Sequence, residues 1–280
     1  MNGETVRKME ETARGAILEA GDLIRDRFGT PLSIESKGKH DYVTNVDQES
    51  EALIIERIKS HFPDHHVMSE EMTNPIRPPG ITWIIDPLDG TTNFIHGFPI
   101  VSVSIAAYAD EEAILGLVLD PIRGELFSAT KGNGAYLNGY QISVSNTASL
   151  HESMVATGFP FKSKHMVDQY METFKRIFNR VSDIRRAGSA ALDLVYVAAG
   201  RVEGFWEMGL SAWDIAAGAL LVREAGGYVS DFWGEGEFLR NGHIIAGTKK
   251  MHGFLLEQVR SVLVPVLEAQ VRYSDPKNLS

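Results

Sequence analysis

The feature that most constrains this chain is the run Trp83-Ile84-Ile85-Asp86-Pro87-Leu88-Asp89-Gly90-Thr91-Thr92-Asn93-Phe94. An apolar strand ends in a carboxylate, a proline sets the bend, and a second carboxylate follows three residues later. Gly90 lets the backbone come close to a ligand, and the paired threonines are placed to cap a short helix. Amide N–H groups at such a helix start form an anion site. Two carboxylates and an anion cradle on one tight loop are what a hard cation bridging to phosphate requires. Asp-Gly is also a common turn pair, so an ordinary turn is the competing account. The proline, the second acid and the two threonines favour the cation loop.

The patterning around this loop changes character once. Residues 4–28 carry helical spacing in Val6, Met9, Ala13, Ile17, Ala20 and Ile24, and a second helix is expected from Asp47 to His61 with Leu53, Ile54, Ile55 and Ile58 inward. Strands are expected at 82–85, 101–109 and 112–119, then in ELFSAT and in GAYLNGYQI with its Asn138-Gly139 turn. After about residue 148 strands and helices alternate: MVATGF, a helix over 164–179, a small-residue helix Ser189–Ala199, EGFWEMG, a helix Trp213–Ala225, YVSDF, HIIAG and a last helix from about 250. The tail QVRYSDPKNLS reads as frayed. This predicts an α+β half over 1–147 with an antiparallel sheet and an α/β half over 148–280 with a mixed sheet, the boundary falling in 145–152.

Composition narrows the function. The chain has no cysteine, which excludes disulfides, thiolate zinc sites and cysteine nucleophiles and fits a reducing compartment. The net charge of −10 disfavours nucleic acid and anionic membranes as partners. The opening MNGETVRKMEETARGA lacks the apolar core of a secretory signal, and the apolar stretch near 100–109 is too short to span a bilayer, so a soluble cytoplasmic protein is expected. Among the nine histidines, His65, His66 and His96 read as structural or exposed rather than as ligands.

Further acids surround the loop. Ser69-Glu70-Glu71 puts adjacent carboxylates near a strand end, although a Glu pair is usually a solvated face. Trp213-Asp214 opens an apolar helix, where an acid most often complements the helix dipole. Asp41-x-Val43-Thr44-x-x-Asp47 reads by itself as a capped helix start.

Taken together these segments resemble the inositol monophosphatase family of lithium-sensitive, magnesium-dependent sugar phosphatases. The resemblance rests on Asp41–Asp47, Ser69-Glu70-Glu71, Trp83–Phe94, Gly188-Ser189-Ala190, Glu207-Met208-Gly209 and Trp213-Asp214 through Gly227, in order over about residues 5–250. It implies a layered αβαβα fold, with Glu70, Asp86 and the Leu88 carbonyl holding one Mg²⁺ and Asp86, Asp89 and Asp214 a second. Glu70 would help with a third, and Mn²⁺ would substitute. Phosphate would rest on the Gly90 and Thr91 amides, beside Asp89 and Asp214. Thr91, supported by Asp47, would position the attacking water, with Glu70 the remaining catalytic residue. Glu207 and the Gly188–Ala190 loop would bind the hydroxyls of a small polyol, with inositol monophosphate the leading substrate. A homodimer is also implied.

The chemistry is consistent with that implication. A phosphate monoester dianion repels hydroxide and reacts very slowly unaided. Paired cations screen its charge, acidify water and stabilise the departing alkoxide. An oxygen-rich site favours Mg²⁺ or Mn²⁺ over zinc. Two alternatives stay open. Fructose 1,6-bisphosphate or a 3′-phosphorylated nucleotide needs extra fixed cations, which Arg185-Arg186 could supply unless they form a subunit contact or a surface pair. A non-catalytic metal-binding regulatory protein on the same scaffold is the other.

Overall fold

The protein is described here by a computed structural model covering residues 2–38, 41–72 and 79–274. Helix α1 (Gly3–Arg27) buries Met9, Ala13, Ile17, Ala20 and Ile24, the stripe that its helical spacing marks. A hairpin of β1 (Ile34–Gly38) and β2 (Asp41–Thr44) follows, with Ile34 opposite Thr44. No alternating signal marks this polar hairpin in the sequence. The side chain of Asp41 lies outside the described residues. Helix α2 (Asn45–His61) starts two residues earlier than expected because Thr44, not Asp47, is its N-cap, and Ile54 and Ile58 are buried while Leu53 and Ile55 are half-buried.

Strands β3 (His66–Ser69) and β4 (Ile81–Asp89) precede the short helix α3 (Thr91–Ile95). Then β5 (Ser102–Ala109), β6 (Glu112–Asp120), β7 (Glu125–Thr130), β8 (Ala135–Leu137) and β9 (Tyr140–Ile142) run as an antiparallel meander. Its last turn, Asn138-Gly139, has positive φ at both positions, as a tight primed turn demands. Among the described residues β3 to β9 make one seven-stranded sheet in chain order. The expectation of an antiparallel sheet needs one correction: β3 pairs with β4 in parallel, with Ser69 opposite Ile85.

The following segment contains β10 (Met154–Thr157), α4 (Val167–Phe178), β11 (Asp183–Arg185), α5 (Ala190–Ala198), β12 (Gly204–Glu207), α6 (Ala212–Glu224), β13 (Tyr228–Ser230), α7 (Phe238–Asn241), β14 (Ile244–Gly247), α8 (Lys249–Val262) and α9 (Val264–Ser274). Its five-stranded sheet has the order β11-β10-β12-β14-β13 and is mixed: β10 is parallel to β11 and β12, while β14 is antiparallel to β12 and β13. The helix expected over 164–179 begins as a 3₁₀ turn and becomes α-helical at Val167. The final helix is two, and Pro265 sits in the first turn of the second, where its missing N–H costs nothing. The tail expected to fray is helical through Ser274; residues 275–280 lie outside the described residues.

Three apolar clusters order these elements into layers. One packs α1 and α2 against the outer face of the seven-stranded sheet, and one packs α4 and α8 against the outer face of the five-stranded sheet. Between the sheets lie α5 and α6, whose residues Ala190–Val195 and Ile215–Val222 are buried without interruption. Helices apolar all round need burial on all sides, and this position provides it. The result is the αβαβα layering that the family resemblance implies. Among the described residues no helix is long and apolar enough to cross a membrane.

Candidate active site

The site is built from the C-terminal end of β4. In a regular strand, residues three apart point to opposite faces. Here the pairing with β5 slips: Asp86 faces Ser104 and Asp89 faces Ser102, so β4 carries one extra residue. That bulge contains Pro87, which has no N–H to give to a ladder, and it turns Asp86 and Asp89 into the same cleft. The parallel β3–β4 pair ends beside it, and the Glu70 amide donates to the Ile85 carbonyl (3.3 Å), which brings Glu70 alongside Asp86. Asp214, in the first turn of α6, adds a fourth carboxylate from the helical layer between the sheets.

The cleft encloses about 580 Å³ and is lined by Glu70, Asp86, Asp89, Asp214 and the Gly90–Asn93 turn, with Tyr42, Phe159, Phe161, Arg186 and Gly188 opposite. Gly90 has φ +91°, and a Cβ there would stand 2.9 Å from the Ile100 carbonyl, so only glycine fits this N-cap. Its use differs from the expected one in a detail. The cap is Gly90 with no side-chain bond, and the threonines do not cap. The Thr91 hydroxyl instead lies 2.9 Å from Asp47 Oδ1 and 3.1 Å from the Leu88 carbonyl.

Asp47 serves two purposes at once. Its Oδ2 accepts the Thr44 amide (2.9 Å) and hydroxyl (2.5 Å), closing the α2 cap, while Oδ1 accepts Thr91. Burial pushes the Asp47 carboxyl above its ordinary range even though these donors pull it down. Asp214 is likewise both a cap and a cleft residue, since its Oδ2 accepts the Ser211 amide at 2.7 Å. Asp89 collects all its donors on one oxygen: Oδ2 accepts the Ser189 hydroxyl (2.6 Å), the Ala191 amide (2.9 Å) and the Ser102 hydroxyl (3.4 Å). Burial also raises its carboxyl, with those donors and Arg186 opposing.

Asp86 is fully buried and its carboxyl is pushed well up, first by burial and then by Glu70, Asp89 and Asp214. Like charges around a buried acid disfavour ionisation unless a cation supplies the opposite field. No three His, Cys, Asp or Glu side chains among the described residues stand in ready-made coordinating geometry. The fit to a hard cation therefore rests on chemistry: an all-oxygen donor set converging on one cleft around an acid that is costly to ionise alone. Glu70, Asp86, Asp89, Asp214 and the Leu88 carbonyl could supply it. The Leu88 side chain is buried and takes no part.

Other expected residues are placed as follows. Gly188 lines the cleft, and Ala190 begins α5. Ser189 is buried, and its hydroxyl is committed to Asp89 and to the Leu192 amide (3.3 Å). Glu207 ends β12 outside the cleft lining, and the space a Cβ on Gly158 would need is filled by its carboxylate. The Arg185-Arg186 pair divides: Arg185 forms a surface ion pair with Asp183 (2.5 Å), whereas Arg186 enters the cleft over Phe161 (5.1 Å) and Phe159 (5.8 Å). His65 accepts the Trp83 indole N–H (3.1 Å) and stacks on Phe62, and His66 and His96 are exposed.

Several participants were not anticipated. Ser50, buried one turn after Asp47, donates to the Pro87 carbonyl (2.8 Å) and ties the bulge to α2. Its i, i+3 spacing from Asp47 was the available signal. Ser102 carries the same polar alternation that marks β5. Asp193, a lone acid in a small-residue helix, is buried with its carboxyl pushed well up by burial, then by Glu207 and Asp89.

Known proteins resemble this chain over most of its length. The model of the inositol monophosphatase family matches residues 5–263. "Nus factor SuhB" of Escherichia coli K12 is 46% identical over 256 residues, covering 90% of this chain and 96% of that protein. The extragenic suppressor protein SuhB from Bartonella henselae, a crystal structure, superposes with TM-score 0.87 at 38% identity, covering 90% and 98%. A structure of inositol monophosphate-bound SaIMPase-II superposes with TM-score 0.78 at 29% identity, covering 96% and 99%.

Proposed function

This chain belongs to the inositol monophosphatase family, and from that premise we propose that it is a Mg²⁺-dependent phosphatase hydrolysing the phosphate monoester of a small polyol, inositol monophosphate first. The observation that carries the reading is the convergence of Glu70, Asp86, Asp89 and Asp214 beside the hydrogen-bonded Thr91–Asp47 pair in one cleft. Bound Mg²⁺ would neutralise the phosphate and acidify the attacking water. The chain's own residues do the rest. The Gly90 and Thr91 amides, at a helix start with no carbonyl one turn back, receive phosphate oxygens. Thr91 accepts a hydrogen bond from the water while donating to Asp47, which fixes the water's lone pair. Glu207, packed against Gly158 next to the cleft-lining Phe159, and the backbone at Gly188 and Ala190 would bind polyol hydroxyls, and Ser189 acts through Asp89.

The inositol phosphate bound to SaIMPase-II supports this substrate class. A substrate with a second phosphate is the second reading, favoured by Arg186 in the cleft and opposed by Glu207, which would repel it. Glu207→Ala separates them. It is expected to lower kcat/KM for inositol 1-phosphate by roughly tenfold or more, the worth of one or two hydrogen bonds to a charged group, and for an aryl phosphate by less than about twofold. Equal losses on both substrates would make Glu207 structural, and wild-type turnover of a bisphosphate at least as fast as that of inositol 1-phosphate would favour the second reading.

A further inference from the structure

Asn93 lines the cleft beside Gly188. Asn93, in the middle of α3, donates through Nδ2 to the carbonyls of Ile100 (2.8 Å) and Ala187 (3.0 Å), with the Gly188 carbonyl at 3.4 Å. A carboxamide has two N–H groups, so the third contact is a longer, shared one. Ile100 belongs to the segment leading into β5, whereas Ala187 and Gly188 lie in the stretch leading into α5. Asn93 therefore bridges the seven-stranded sheet's loop to the chain segment that carries the expected polyol contacts.

The same segment is gripped at a second point, where Asp89 Oδ2 takes the Ser189 hydroxyl and the Ala191 amide. The fit is close, since a Cβ on Gly188 would stand 2.9 Å from Asn93 Nδ2. Asp89, at the end of β4, and Asn93, in α3, thus hold residues 187–191 by opposite hydrogen-bonding chemistry. Asp89 accepts from N–H and O–H donors, and Asn93 donates to carbonyls. Only a donor can do the second job. A carboxylate at position 93 would set its lone pairs against those of the carbonyl oxygens.

We propose that Asn93 is a positioning residue: it holds the 187–190 stretch against the metal loop and thereby sets polyol discrimination, without touching the reacting phosphate. The inference rests on the phosphatase reading for its kinetic consequence and on the hydrogen bonds alone for its structural one. Cleavage of the P–O bond depends on the carboxylates and Thr91, while hydroxyl recognition depends on backbone that Asn93 tethers. Loss of the tether therefore acts on one and spares the other.

The test compares the full-length wild type with Asn93→Ala and Asn93→Asp, the second of which preserves size and removes the donors. Amide hydrogen exchange across 187–192 is measured without substrate, and kcat/KM is measured for inositol 1-phosphate and p-nitrophenyl phosphate at saturating Mg²⁺. Both variants are expected to exchange ~10-fold faster at 187–192, with α2 unchanged, the size of effect that follows from losing about one hydrogen bond. Inositol phosphate kcat/KM should fall by a similar ~10-fold and the aryl phosphate value by less than ~3-fold. Wild-type exchange in the variants, an Asn93→Asp protein that behaves like wild type, or equal losses on both substrates would overturn the proposal. A wild-type protein that releases no phosphate from either substrate removes the phosphatase reading, and the exchange comparison then decides the Asn93 tether by itself.

Discussion

Asp89→Asn is expected to lower kcat/KM at saturating Mg²⁺ by at least ~10³-fold, the upper end of the loss for a single oriented electrostatic contact. The asparagine has one oxygen where the carboxylate has two. If that oxygen keeps the donors from Ser189, Ala191 and Ser102, the amide group faces the cation; if it turns to the cation, the amide faces three donors. Either orientation loses one half of what Asp89 does. The same substitution removes one of the charges that raise Asp86, so the metal-free protein should not melt appreciably lower. Its gain in Tm on adding Mg²⁺ should shrink. A variant with wild-type turnover would remove Asp89 from the cation site.

The raised Asp86 carboxyl also fixes the sign of a pH effect. An acid whose folded pKa lies above its unfolded one stabilises the fold below the unfolded value. That contribution is lost as pH rises through the folded value. Metal-free protein should therefore weaken as pH climbs from the ordinary aspartate range, and Mg²⁺ should oppose the loss.

Thr91→Ala is the second large effect. The hydroxyl is bonded to Asp47 at 2.9 Å and sits at the start of α3, two residues past Asp89. A loop that presents Asp89 to a cation also presents Thr91 to the water beside it. Orienting that water would matter in the transition state, because cations and the loop amides would already hold the phosphate of a bound substrate. The variant should lower kcat by at least ~10²-fold, as for one oriented catalytic hydrogen bond. KM and Mg²⁺ dependence should change little. Losing the hydroxyl also deprives buried Asp47 of a donor, at about 1 kcal/mol of stability. A protein that melts earlier yet keeps wild-type kcat would reduce Thr91 to that structural bond.

Much of this was legible in the residues. The α1 and α2 stripes, the meander from β5 to β9 and the uninterrupted apolar runs of α5 and α6 are local signals, and local spacing finds them. The acids of the site were visible as types in a pattern. Their convergence was not. Whether Asp86 and Asp89 share a face depends on a bulge against β5, and whether Glu70 joins them depends on the parallel pairing of β3 with β4. Both are long-range pairings with no local trace, apart from a proline inside a strand. The β1–β2 hairpin and β11 are short and polar, so no apolar alternation marks them. The paired threonines misled in one respect. Gly90 already supplies the left-handed cap, which leaves Thr91 for Asp47. Asp47 and Asp214 show that a capping reading and a functional reading need not compete, since each carboxylate has two oxygens.

The central claim is that the carboxylate cleft, charged with Mg²⁺, cleaves the phosphate ester of a small polyol. The most direct test is steady-state phosphate release from inositol 1-phosphate by the full-length protein, in saturating Mg²⁺ and in excess chelator. Turnover that requires Mg²⁺ and vanishes in chelator is the predicted result. Full turnover in chelator, or no release from a folded protein in saturating Mg²⁺, would contradict it.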